Sequence, residues 1–283
     1  MVDASAAGTI RIGDTTVPRM GFGAMRLPGP GVWGPPADRD EAIRVVRRAV
    51  ECGVRLIDTA WYYGMDVANG IVAEALRPYP DDLLLVTKLG GARRDDGSWF
   101  AALTPDELRA GNARDRRVLG VDTVPVTHLR WMDTDATTFD EALGTMIAMR
   151  DEGLIGHVGL SNVSADQLDA ALSRTPIVSV SNQFGLSQRE DAGTLARCTA
   201  EGIAYLPFFP LGAGGDTSAT DNALARVAAR HGASPAQIVL AWMLALSPSV
   251  VAIPGTSKVA HLEENLAAAG IGLTAADIAE LEA

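Results

Sequence analysis

Short apolar runs and amphipathic stretches alternate along the whole 283-residue chain, and this alternation limits the available folds more than any other feature. The apolar runs are Arg19–Met25, Val54–Asp58, Leu83–Lys88, Thr123–Leu129, Ile155–Ser161, Val178–Gln183, Ile203–Phe208 and Val250–Pro254. They are nearly continuous rather than alternating with polar residues, as strands buried on both faces must be. Helical spacing recurs between them, as in Asp40–Gly53 and Ser164–Arg174, and Gly53, Gly120, Gly153 and Gly202 follow helices where C-caps belong. Strands each followed by a helix imply a parallel sheet covered by helices, and eight such units close into a (β/α)8 TIM barrel. The competing arrangement is a doubly wound open sheet, which opens a helix straight from a glycine-rich loop after its first strand. In "GFGAMRLPGPG" the glycines are present, but the prolines deny the helix that must follow. Ahead of the barrel, Thr9–Pro18 reads as a β-hairpin around Gly13-Asp14, placed to plug the barrel's bottom. No linker, repeat or low-complexity stretch divides the chain, so residues 1–283 are expected to form one domain.

Charge and cysteine usage narrow the class. A net charge of −11 argues against nucleic acid and against anionic membrane surfaces. The longest apolar run, Ile238–Leu246, is far too short to span a bilayer, and the N-terminus has no signal-peptide pattern. Cys52 and Cys198 lie inside helical patterns and read as small core residues of a reducing compartment, and the histidines lack metal-ligand spacing. The expectation is a cytoplasmic, metal-free protein, with its oligomeric state left open.

Chemistry is expected where the strand ends converge, at the C-terminal face of the barrel. Strand two ends with Asp58, strand three with Lys88 and strand four carries His128 near its end. A buried carboxylate is costly unless paired, and Lys88 on the neighbouring strand is the natural partner of Asp58. If the following loop folds back, Tyr63 joins them, and the nearby ammonium is expected to make this phenol a stronger acid. Asp58 would fix Lys88, and His128 would orient a substrate oxygen. A proton donor in a dry pocket, with hydride from a cofactor, is what reducing a carbonyl requires.

In the segments "IDTAWYYG", "VTKLG" and "VTHLRW", taken in this order, the chain resembles the aldo-keto reductases. These are NAD(P)H-dependent enzymes with an Asp, Tyr, Lys and His tetrad on a (β/α)8 barrel. The resemblance continues through "GHVGLSN", "SNQFGLSQR", "LPFFPLGAGG" and "VVAIPGTSKVAHLEENLAAA" to nearly the whole chain. It implies Asp58, Tyr63, Lys88 and His128 as the catalytic set. It also implies Ser161, Asn162 and Gln183 on the nicotinamide carboxamide, and Phe208 stacked on the ring where the family usually has Tyr. Pro210, Leu211 and Gly212 would start the loop over the pyrophosphate. Pro254, Gly255, Thr256 and Ser257 would lead into a helix whose free N–H groups take an anion, with Lys258 on the 2′-phosphate of NADPH. Glu264 and Asn265 would contact adenine, and His261 stands where many NADPH-using relatives have arginine. The implied cofactor is NADPH with moderate preference, NADH also being possible.

The loop "GPGVWGPP" narrows the resemblance to the bacterial pyridoxal reductase branch, although that branch has Asn where this chain has His128. The implied substrate is a small carbonyl compound, pyridoxal among the candidates. Trp33, Trp61, Trp99 and Trp131 all fall in expected βα loops, where aromatic side chains suit a flat substrate, and Arg130 is placed to face the same mouth. Two other functions fit the same barrel. One is a Schiff-base aldolase with Lys88 as nucleophile. The other is a non-catalytic subunit that senses the bound cofactor.

Overall fold

The computed structural model describes residues 3–209 and 221–283. An antiparallel hairpin comes first, β1 (Thr9–Ile12) with β2 (Thr15–Pro18), in the register Ile10 to Val17. The strands that follow are β3 (Phe22–Gly23), β4 (Leu56–Asp58), β5 (Leu84–Arg93), β6 (Trp99–Ala102), β7 (Val124–Arg130), β8 (Ile155–Ser161), β9 (Ser179–Ser181) and β10 (Ala204–Tyr205). The sheet runs β3-β4-β5-β7-β8-β9-β10 with every neighbour parallel, while β6 folds back antiparallel on the far end of β5. Val250–Ala252 takes the eighth place in the ring. Parallel bridges join Tyr205 to Val250 on one side and Met20 to Ala252 on the other, which closes the barrel.

The helices α1 (Arg39–Glu51), α2 (Val67–Leu76), α3 (Pro105–Leu119), α4 (Phe139–Asp151), α5 (Ala165–Leu172) and α6 (Ala192–Glu201) each follow a barrel strand. α7 (Asp221–His231) and α8 (Pro235–Leu246) fill the seventh crossover, and α9 (Val259–Ala267) and α10 (Ala275–Glu282) complete the chain. Local sequence explains where these helices start. Asp38, Thr138, Ser164 and Ser234 each accept a backbone N–H of the first turn, and the last three form capping boxes with Glu141, Gln167 and Gln237. In α1 the buried Ala42, Ile43, Val45, Val46 and Ala49 lie on one face at helical spacing. Among the described residues, no helix is long and apolar enough to cross a membrane.

The barrel interior is built from alternate strand residues. Ile12 and Val17 of the hairpin pack beneath Leu56, Leu84, Val86, Val126, Ala204, Leu206 and Val251 in one apolar cluster. The register pairs Leu56 with Leu84, Asp58 with Val86, Val86 with Val126 and Lys88 with His128. Asp58, Lys88 and His128 therefore share the inward parity of this plug and stand above it, at the C-terminal face.

Most strands are shorter than expected, β4, β9 and β10 among them, and three depart further. Barrel strands one and eight are reduced to a two-residue strand and isolated bridges, because each closes the ring mainly through hydrogen bonds to the other, Gly21 N to Ala252 O at 2.8 Å and Ala252 N to Arg19 O at 2.9 Å. β5 runs five residues past Lys88, since β6 supplies partners for its far end from Leu89's neighbour Gly90 to Arg93. This hairpin arm stands over the barrel mouth.

Candidate active site

Lys88 Nζ lies 2.5 Å from Asp58 Oδ2 and 3.4 Å from the carbonyl of Thr59, and both side chains are buried. The partner expected for Asp58 is thus in place. Burial pushes the Asp58 carboxyl up from its ordinary range, and Lys88 opposes that shift. Tyr63 completes the group, with its ring centroid 5.1 Å from Lys88 Nζ. Burial, rather than the nearby ammonium, sets the acidity of the phenol. Burial raises the Tyr63 pKa, the Asp58 charge adds to this, and Arg130 opposes it. At rest Tyr63 is therefore a firmly protonated donor and not an acidified one.

His128 sits deeper than its expected role requires. It is fully buried, its Nε2 is 2.7 Å from Ser179 Oγ, and its Nδ1 has no partner. The ring lies across β8 because residue 159 is glycine, and a Cβ there would overlap the imidazole. Burial and the Lys88 charge hold the His128 pKa well below its ordinary value, so the ring is neutral. His128 does not line the cavity described next.

That cavity has a volume of about 490 Å³ and is lined by Asp58, Tyr63, Lys88, Trp99, Arg130, Phe208, Pro254, Gly255 and Asn265, with apolar side chains such as Met132 and Leu240. A second cleft of about 530 Å³ is lined by Gly255, Thr256, Ser257 and Lys258, together with Asp38 and the "GPG" segment. Both are lined by Met25, Arg26, Gly31, Val32 and Gly255, so the cavity with Tyr63 and Lys88 adjoins the cleft with Lys258. Arg26 was not singled out from the sequence, since nothing local distinguishes a surface arginine there.

The remaining candidates divide. Ser161 and Ser181 are fully buried and their hydroxyls have no partner. Ser164 rather than Ser161 caps α5, which leaves Ser161 free. Unpaired hydroxyls at the ends of β8 and β9 fit a ligand amide such as a nicotinamide carboxamide, although neither serine lines the cavity. Asn162 is in the left-handed region (φ 59°) and its amide donates to the Trp131 carbonyl, while the Gln183 amide donates to Gln188. Phe208 stands edge-on to Phe209 with centroids 5.3 Å apart. His261 and Glu264 are exposed and line neither cavity. Pro210, Leu211 and Gly212 lie outside the described residues.

The α9 N-terminus differs from the bare anion site expected there. Glu41 Oε1 already accepts the Val259 N–H at 3.1 Å, and Lys258 N donates to Thr256 Oγ1 at 3.2 Å. A carboxylate therefore shares the region with Lys258, and the sequence gives no hint of it because Glu41 comes from α1.

Of the tryptophans, Trp99 lines the cavity and Trp33, Trp61 and Trp131 do not. Trp33 and Trp99 flank the Arg93 guanidinium at 5.3 and 4.1 Å. Arg93 also donates to the carbonyls of Gly97 and Gly31 at 2.8 and 3.0 Å, which ties the hairpin arm to the "GPGVWGPP" loop. Trp61 packs under Arg114 at 4.7 Å, and Trp131 meets Phe139 edge-on at 5.5 Å.

A buried Lys–Asp pair beside a protonated tyrosine at a barrel's C-terminal face defines a class of oxidoreductase, and the comparisons agree. The chain belongs to the aldo/keto reductase family, whose model matches residues 19–283. It is 44% identical over 274 residues to pyridoxine 4-dehydrogenase of Escherichia coli K12, covering 95% of each chain. It is 41% identical over 281 residues to an uncharacterised oxidoreductase of Schizosaccharomyces pombe, covering 99% of this chain and 91% of the other. Among solved structures, a thermostable aldo-keto reductase in complex with the inhibitor epalrestat superposes with a TM-score of 0.83 at 29% identity, over 97% of this chain and 98% of that one. An aldo/keto reductase of Klebsiella pneumoniae in complex with NADP and acetate shares the fold, with a TM-score of 0.79 at 24% identity over 96% and 93%.

Proposed function

We propose that this chain, working as one barrel domain over residues 1–283, reduces an aldehyde or ketone to the alcohol with NADPH, and that pyridoxal, giving pyridoxine, is among its substrates. The observation that carries this reading is the convergence of Lys88, Asp58 and Tyr63 on one cavity that adjoins a cleft lined by Lys258. The similarity to pyridoxine 4-dehydrogenase supports the substrate.

Bound with its nicotinamide in the cavity, the cofactor supplies the hydride. Tyr63 holds the proton that goes to the carbonyl oxygen. Lys88, fixed by Asp58, faces the phenolate left behind and stabilises it. The neutral imidazole of His128 holds Ser179 and leaves proton donation to Tyr63. Trp99, Phe208 and Met132 exclude water and give a planar substrate an apolar wall. Ser161 and Ser181 provide the free hydroxyls for the carboxamide. Arg26 and Lys258 supply positive charge along the cleft for the phosphates.

The acidic net charge supports a small-molecule partner over nucleic acid, and two buried free cysteines suit a reducing cytoplasm. The aldolase reading needs a neutral Lys88 amine, which the 2.5 Å contact with Asp58 opposes. The test is NADPH oxidation with pyridoxal and a panel of aromatic aldehydes. Steady turnover that collapses in Tyr63→Phe is the expected result. Cofactor binding with no turnover of any carbonyl would favour the sensing subunit instead.

A further inference from the structure

We propose that Arg130 binds an ionised oxygen carried by the substrate beside its carbonyl, so that the preferred substrates of this cavity are ortho-hydroxy aromatic aldehydes in their phenolate form. The proposal rests on the carbonyl-reductase reading and adds the feature by which a substrate is selected.

Arg130 ends β7, two residues beyond His128, and lines the same cavity as Tyr63 and Lys88. Two other enclosed arginines are fully occupied within the protein. Arg93 donates to Gly31 and Gly97, and Arg19 donates to the carbonyls of Ala7, Leu244 and Ser247. Arg130 forms no hydrogen bond and no ion pair among the described residues, and its Nε is buried without a partner. Its guanidinium carbon lies 5.8 Å from the Trp99 ring.

A guanidinium enclosed without a hydrogen-bond partner costs free energy until an anion meets it. Its planar fork suits an oxyanion better than a neutral oxygen. Position selects the kind of oxyanion. Arg130 and Tyr63 line the same cavity, so an oxygen held by Arg130 and a carbonyl held by Tyr63 can belong to one small substrate. A cavity of about 490 Å³ that must also take the nicotinamide leaves room for one ring. On an aromatic ring, the ortho position puts an ionisable oxygen next to the carbonyl. The 3-hydroxyl of pyridoxal stands there, next to its aldehyde.

Two substrate pairs isolate this oxygen: 2-hydroxybenzaldehyde with 2-methoxybenzaldehyde, and pyridoxal with its 3-O-methyl ether. With NADPH saturating, the free hydroxyl should raise kcat/KM by about tenfold or more within each pair, as a charge-assisted hydrogen bond implies. Arg130→Met should bring the ratio towards unity and Arg130→Lys should keep part of it, which separates lost charge from lost packing. A ratio near unity in the unaltered protein, or an equal loss for both members in Arg130→Met, overturns the proposal. Equilibrium binding of pyridoxine and its 3-O-methyl ether, followed by tryptophan fluorescence, tests it without turnover. Tighter binding of pyridoxine that is lost in Arg130→Met supports the anchor even if no aldehyde is reduced, which would be a failure of the reductase reading alone. Equal affinities of the unaltered protein for the two compounds sink it.

Discussion

Tyr62 and Tyr63 are adjacent in sequence yet differ in what they can do. Their rings meet edge-on at 5.3 Å, but only Tyr63 faces Lys88 and lines the cavity, while the Tyr62 hydroxyl is buried without a partner. Tyr63→Phe should lower turnover by about 10²–10⁴ with cofactor affinity kept, the usual weight of a general acid. Tyr62→Phe should stay within a few-fold of the unaltered protein in the same assay, and a crippled Tyr62→Phe would reverse the two assignments. A second buried carboxyl lies just outside the barrel. Asp115 Oδ1 accepts the Asn69 amide at 2.6 Å, and the Asn69 amide oxygen accepts the Thr59 hydroxyl at 2.7 Å. Burial pushes the Asp115 pKa up to about 7, against the hydrogen bonds from Asn69 and Thr87 and the charge of Lys88, while Asp66 adds to the rise. The folded chain thus keeps a proton that the unfolded chain loses near 3.8, and stability should fall as pH rises from there to about 7, with no further loss above. The slope is at most about 1.4 kcal/mol per pH unit. Asp115→Asn keeps an acceptor for Asn69 and removes the titration, so its melting temperature should gain on the unaltered protein between pH 5 and pH 8. Parallel melting curves across that range would exclude a proton on Asp115.

At the scale of elements, the hairpin of β5 and β6 decides which tryptophan lines the cavity. Arg93 holds Trp33 on one side and Trp99 on the other, and Trp99 alone of the two lines the cavity. Trp99→Ala should therefore raise KM for aromatic carbonyls far more than for short aliphatic ones. Trp33→Ala should weaken both substrate types alike, since it loosens the loop rather than removing a contact. Steady-state constants for the two variants on one aromatic and one aliphatic aldehyde check the contrast. The entry to α9 is the second such element. Lys258→Ala should cost about tenfold or more in NADPH affinity and little in NADH affinity, if its ammonium meets the 2′-phosphate. Glu41→Gln keeps an acceptor for the Val259 N–H and removes a negative charge near Lys258, so it should shift the preference further to NADPH. Dissociation constants of both cofactors for both variants decide this, and equal losses for the two in Lys258→Ala would remove the phosphate from that site.

For the molecule as a whole, stability and chemistry are separated along the barrel axis. The hairpin closes the bottom with Ile12 and Val17, and the polar set occupies the top, with the apolar strand residues between them. Ile12→Ala should cost about 2–5 kcal/mol of stability, as large-to-small changes at buried sites do. Turnover per folded molecule should change less than twofold, because Ile12 lines neither cavity. Chemical denaturation beside active-site-titrated turnover would check both halves, and a loss of turnover matching the loss of stability would show that the two ends are coupled.

The chain's order of strands and helices, the strand-end placement of Asp58 and Lys88 and the hairpin were all legible from residue pattern, because apolar runs and the capping of helices are local signals. The pairing of Asp58 with Lys88 followed from neighbouring strands in a parallel barrel. Pattern also led to the family through "IDTAWYYG", "VTKLG" and "VTHLRW". What only the tertiary structure decided concerns contacts between segments distant in sequence. Arg93 clamps a loop some sixty residues away, at Gly31 and Val32. Glu41 of α1 occupies an N–H of α9. His128 turns across Gly159 to Ser179, and the loop after β4 folds back to bring the Tyr63 ring centroid 5.1 Å from Lys88 Nζ. Strand parity says which way a side chain points. Its partner is set by how loops from different units pack over the mouth, and no local pattern encodes that.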